Sequence, residues 1–179
     1  MINEFSAKAK PSNGKAKVAF FVLLALAAAL TVVYMAVPLY KGIVGLGVIS
    51  LIVAVVLVYV KYIGSVYFYD VTFDYTGAAL FVVRQITGKR QSTLARLALS
   101  EIVAIEKETA EQRRAHKTPN GYLKYSYLPT LMPEVTYRIT ARSRYEKSEI
   151  IVEITEQLAM LLSDYAAEAR AKAQADYGE

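Results

Sequence analysis

Cysteine and tryptophan are absent from this chain, and histidine occurs once. No disulfide framework can be drawn, and neither can a thiolate zinc site, which draws on several Cys or His donors. The single histidine, His116, has no serine or cysteine motif that marks it as a catalytic base, and it reads as a solvated loop residue. Charge is missing too. No Asp, Glu, Lys, Arg or His occurs from residue 18 to 40, nor from 42 to 60. These runs of 23 and 19 residues correspond to helices of about 34 and 28 Å, against a hydrocarbon core about 30 Å thick. A helix satisfies its own backbone hydrogen bonds, as a backbone in lipid must. Proton relays and ion pathways normally use ionisable groups inside the span, so the lack of them argues against a transporter or channel.

What charge there is has a pattern. The chain carries a formal +5, but residues 63–179 hold fifteen Lys/Arg against fifteen Asp/Glu. The excess sits in the tail, as Lys8, Lys10, Lys15 and Lys17 against Glu4, and in Lys41 and Lys61. That distribution excludes a nucleic-acid footprint, which concentrates basic residues on the folded domain. Surplus lysine flanks the cytoplasmic ends of membrane helices. The expectation is a multi-pass protein of the inner cell membrane with both termini cytoplasmic. A cleaved signal peptide is rejected, because its apolar region runs only about 7–15 residues and a second span follows at once.

Three regions follow: a disordered basic tail at 1–17, a transmembrane hairpin at 18–62, and a cytoplasmic domain at 63–179. In the second span, Gly47, Ser50 and Ala54 fall at i, i+3 and i+7, the small-residue pattern that lets membrane helices approach closely. They are read as the face that packs on the alanines of the first span, with a homo-oligomer contact as the alternative.

Beyond residue 64 the pattern changes to short runs rich in Tyr, Phe, Val, Ile and Thr, separated by turn residues. Strands are expected at 66–74, 79–86, 90–97, 101–108, 122–128, 135–141 and 149–153, although 100–107 reads equally as helix. A closing helix at about 155–172 has Thr155 as N-cap and a stripe of Leu158, Leu161, Leu162, Tyr165, Ala166 and Ala169.

Residues 81–90 (FVVRQITGKR), 97–106 (LALSEIVAIE) and 151–165 (IVEITEQLAMLLSDY) resemble the bacterial pleckstrin-homology-like domains that follow a pair of transmembrane helices. The resemblance implies a seven-stranded barrel closed by the C-terminal helix, with a binding or scaffolding role and no active site. Phosphoinositide-binding members place basic residues at the first β-turn, whereas here it reads Asp74-Tyr75-Thr76-Gly77-Ala78.

No catalytic, cofactor or metal site is assigned, and the chain is not read as an enzyme. Glu101, Glu106, Glu108 and Glu111 read as solvated partners of nearby basic groups. Gly42, Gly45 and Gly47 lie within a span and cannot form a phosphate loop. Basic residues gather in the turns after the second, fourth and sixth expected strands. If the strands run up and down in order, these turns share one end of the barrel. Arg90, Arg113, Arg114, Lys117, Arg144 and Lys147 would then face the anionic headgroups of the cytoplasmic leaflet. The functional expectation is a membrane-anchored adaptor with an unidentified protein partner. The alternative is an assembly subunit whose hairpin binds partner helices.

Overall fold

The computed structural model describes residues 2–9, 11–36, 41–143 and 146–176. Arg144 and the connection at 37–40 lie outside the described residues. The chain divides into two units, one of residues 11–65 and one that joins residues 1–10 to 66–179.

The first unit is a pair of apolar helices, α1 (Gly14–Ala36) and α2 (Lys41–Val58), the latter prolonged by a π-helical turn at Tyr59–Ile63. Both are long and apolar enough to cross a membrane. Gly47 faces Leu30 so closely that an added Cβ would lie 2.9 Å from Leu30 Cδ2. Ala54 is half-buried, but Ser50 is exposed and its hydroxyl donates to the Leu46 carbonyl. The packed face therefore runs through Gly47, Leu51, Ala54 and Val58, at i, i+4, i+7 and i+11, and Ser50 lies off it.

The second unit opens where disorder is expected. Phe5–Lys8 is a strand, β1, and pairs antiparallel with β2 (Ser65–Phe73), Phe5 opposite Val71 and Lys8 opposite Phe68. Phe5 and Ala7 are half-buried while Ser6 and Lys8 are exposed, the alternation of a strand with one face on the core. The Ala9 amide donates to the Tyr67 carbonyl at 2.9 Å. In chain connectivity the helical pair is thus an insertion into the turn of a β-hairpin. The basic tail is shorter than expected, and α1 begins at Gly14.

Strands β3 (Ala79–Thr87) and β4 (Arg90–Ala98) complete a sheet of order β1-β2-β3-β4. The β2–β3 turn is held by Asp74, whose carboxylate accepts from Thr76 N, Thr76 Oγ1 and Ala78 N. The Thr76 hydroxyl and these amides keep Asp74 below the usual carboxylate range. Gly77 closes the turn at φ +81°, a conformation a β-carbon disfavours.

A 3₁₀ turn at Leu99–Glu101 leads to the second sheet, of β5 (Ile102–Thr109), β6 (Tyr122–Tyr127), β7 (Val135–Arg142) and β8 (Lys147–Val152). Its order is β5-β7-β8-β6, and β6 runs parallel to β8. A short helix, α3 (Ala110–Ala115), interrupts the loop between β5 and β6, capped by a reciprocal Thr109–Gln112 box. Helix α4 (Glu156–Asp176) follows and buries Leu158, Ala159, Leu162 and Ala166 in a core with Tyr69, Phe81, Leu99 and Ile139. The architecture is two apolar helices and a mainly-β domain of two four-stranded sheets with a C-terminal helix. The strands do not close into one barrel.

Candidate functional site: a cleft between two sheet edges

Sheet one ends at β4 and sheet two ends at β6. Between these edges lies a cleft of about 450 Å³. A β-bulge shapes its wall. The β3–β4 register passes from Val83↔Ala95 to Arg84↔Thr93, so Leu94 is an extra residue with no partner. A bulge bends its strand and re-aims the residue that carries it. The Leu94 carbonyl accepts the phenolic hydrogen of Tyr127, from β6, at 3.0 Å.

The floor of the cleft is apolar, with Leu94, Leu97, Ala141 and Ile150. One wall carries Tyr125 and Tyr127, two residues apart on β6 and therefore on one face. Their rings lie 3° from parallel with centroids 6.3 Å apart. Burial raises both phenols above the ordinary tyrosine range, and Glu146 adds to the effect in each. Glu101 and Glu146 stand at the cleft, and among the described residues neither has a basic partner. Arg96 contributes its strand segment, but its register partner is Val82, on the face opposite the inward pairs Phe81–Leu97 and Val83–Ala95. Ser148 also lines the cleft. It is 8% exposed.

Beneath the cleft, Tyr69 ties the layers together. Its hydroxyl donates to the Tyr127 carbonyl at 3.4 Å and accepts from the Glu153 amide at 3.3 Å. Burial drives its pKa far up.

The outer face of the second sheet holds the groups that the sequence reading left in solvent. Glu108 is 3% exposed and is paired with Arg138. His116 Nε2 lies 3.0 and 3.1 Å from the two carboxylate oxygens of Glu149, itself 3% exposed. Arg113 donates to Thr136 Oγ1 at 2.9 Å and to the Pro133 carbonyl at 3.1 Å. These contacts strap residues 110–121 across the sheet. His116 is thus a half-buried structural partner rather than a solvated loop residue, and Glu108 is not a solvated surface carboxylate.

The basic turns do not gather at one end. In the β5–β7 pair, Thr109↔Val135 marks one end and Ile102↔Ala141 the other. Arg113 and Arg114 follow Thr109, whereas Lys147 follows the turn beyond Arg142, so they occupy opposite ends of this sheet. The up-and-down order fails because β6 crosses to the far edge and runs parallel to β8. Arg90 closes the β3–β4 hairpin opposite Thr87. Arg114 and Lys117 are exposed on the strap, and Lys147 stacks over Tyr122 at 5.9 Å. No group of three or more His, Cys, Asp and Glu among the described residues forms a metal-binding cluster. Compared with family models, curated proteins and solved structures, the chain matches none.

Proposed function

We propose that this protein is a non-catalytic binding module of the cell membrane, held by two spans with both termini on the cytoplasmic side. The observation that carries the reading is the pairing of β1 with β2. Residues on either side of the helical pair belong to one folded domain, which requires that two crossings bring the chain back to the side it left. Lysines at 8, 10, 15, 17 and 61 support the cytoplasm as that side. The solvent-facing surface of the helices is aliphatic, including Ile43, Leu46, Ile49 and Ile52, and suits lipid contact. The pleckstrin-homology-like resemblance adds the adaptor role. It rests on the sequence pattern of residues 81–90, 97–106 and 151–165.

The competing reading is an assembly subunit that binds partner helices through α1 and α2. The compact soluble unit separates the two. Residues 2–9 joined by Asn-Gly to residues 67–176 should retain in pull-downs the partners that the full chain recovers from native membranes. Recovery only when residues 11–65 are present would establish the assembly reading instead.

A further inference from the structure

We propose that the outward face of the first sheet, which carries Lys8, Arg84 and Arg96, docks on an anionic lipid leaflet. This rests on the reading of α1 and α2 as membrane spans and goes beyond it by naming the surface that meets the lipid. Tyr67, Tyr69 and Val71 of β2 turn into the core, as do Phe81 and Val83 of β3. Alternation therefore puts Phe68, Asp70, Val82 and Arg84 on the other face. Register adds Lys8 of β1, opposite Phe68, and Arg96 of β4, opposite Val82.

Charge on this face is one-sided. Asp70 is the one acid among the residues of β1–β4. Its carboxylate is 2% exposed and accepts the Nε–H of Arg84. The Arg84 guanidinium also lies over the Phe68 ring, 5.7 Å from its centroid. The group is thus held at Nε and at its flat side. Its two terminal nitrogens have no partner among the described residues, and the side chain is 30% exposed. A guanidinium fixed with its fork free suits bidentate contact with a phosphate. Lys8 and Arg96 are exposed, and neither has an ion-pair partner among the described residues.

Spacing and chain connectivity select the occupant. The three cations come from β1, β3 and β4, which spreads them over roughly 14 Å at ~4.8 Å per strand. That width suits the many phosphates of a leaflet better than one small anion. Lys8 lies six residues before α1 begins, and Phe68 five residues after the π-helical turn ends. Chain reach alone tethers each within about 20 Å of a span. The cytoplasmic leaflet, on the side proposed for this domain, is the one rich in anionic lipid.

The full chain, labelled with ¹⁵N, is reconstituted into nanodiscs of phosphatidylcholine, alone or with about one-third phosphatidylglycerol, both doped with a gadolinium-chelating lipid. The amides of Arg84 and Arg96 should relax faster in the anionic discs, whereas Ser163, exposed on α4, should not change. Salt at about 1 M, where the Debye length is ~3 Å, should abolish the difference. The Lys8→Gln/Arg96→Gln variant leaves the Asp70–Arg84 pair intact. It should lower the docked-to-free ratio roughly thirtyfold, about fivefold for each basic residue removed. Equal relaxation in neutral and anionic discs, or an unchanged response in the variant, would overturn the inference. So would soluble polyglutamate shifting these amides in neutral discs while phosphatidylglycerol has no effect, which would assign the face to an acidic protein. A chain that co-elutes with the discs but shows no lipid response leaves the two-span reading standing. A chain that does not enter the discs would overturn both.

Discussion

Tyr127 donates its phenolic hydrogen to the carbonyl of Leu94, joining the edge strand of one sheet to the edge strand of the other. The acceptor is available because Leu94 is the bulged residue of β4. A neutral hydrogen bond of this kind contributes about 1 kcal/mol. Tyr127→Phe should therefore lower the denaturation midpoint by a corresponding amount with no change in denaturant m-value. An unchanged midpoint would show that the link across the cleft has no energetic weight.

The buried pair Glu108–Arg138 leads to an asymmetric expectation. Removing one partner strands a charge that is almost wholly out of water, at about 3–5 kcal/mol, whereas replacing both by apolar residues is often neutral. Arg138→Met alone should destabilise strongly, and Glu108→Leu/Arg138→Met should recover most of the loss. Chemical denaturation of the two variants checks this. Equal stability of single and double variants would contradict the pairing.

Stability should fall on the alkaline side through Tyr69. Its pKa is raised in the folded state by burial, so the native protein holds a proton that the unfolded chain releases above pH ~10. The contribution is complete below that pH and is lost as pH rises toward the native pKa. Tyr69→Phe should flatten the decline in Tm above pH ~10 relative to the parent. Parallel Tm–pH curves for both proteins would refute it.

The β1–β2 hairpin should fold without its insertion. Ala9 and Tyr67 already face each other across one backbone bond, so an Asn-Gly turn fits between them. Residues 2–9 joined through Asn-Gly to residues 67–176 should be soluble, with cooperative unfolding. Residues 67–176 alone would expose the β2 edge and should aggregate. Size-exclusion chromatography separates the two outcomes.

Much of the β domain was legible from its residues. The seven expected strands correspond to β2–β8, because runs of Val, Ile, Tyr and Phe alternate between turn residues. Gly77 and Gly121 sit at positive φ where turns were read. The helix stripe placed Leu158, Leu162 and Ala166 in the core. Strand β1 was hidden because it spans four residues, carries a lysine, and pairs with β2 some sixty residues later. Local alternation that short is not a signal. The cap of α3 was available as Thr109-x-x-Gln112, a capping-box spacing that reads ahead of a short helix. The cleft was not legible. It arises from the crossing of β6 to the far edge and from a bulge at Leu94, neither of which leaves a local pattern. The pairing of His116 with Glu149 depends on the same long-range packing, since the two lie 33 residues apart in sequence.

The central claim is that the segment before the first span and the segment after the second form one domain on one side of the membrane. The chain has no native cysteine, so introduced thiols report without interference. Lys8 and Phe68 are directly opposed across an antiparallel pair, a separation of about 4.5–5.5 Å between Cα atoms that a disulfide spans. The Lys8→Cys/Phe68→Cys variant in native membranes should form an intramolecular disulfide under mild oxidation, seen as a reducible mobility shift on a gel. No cross-link, with the two thiols labelled by an impermeant reagent from opposite faces of the membrane, would contradict the account.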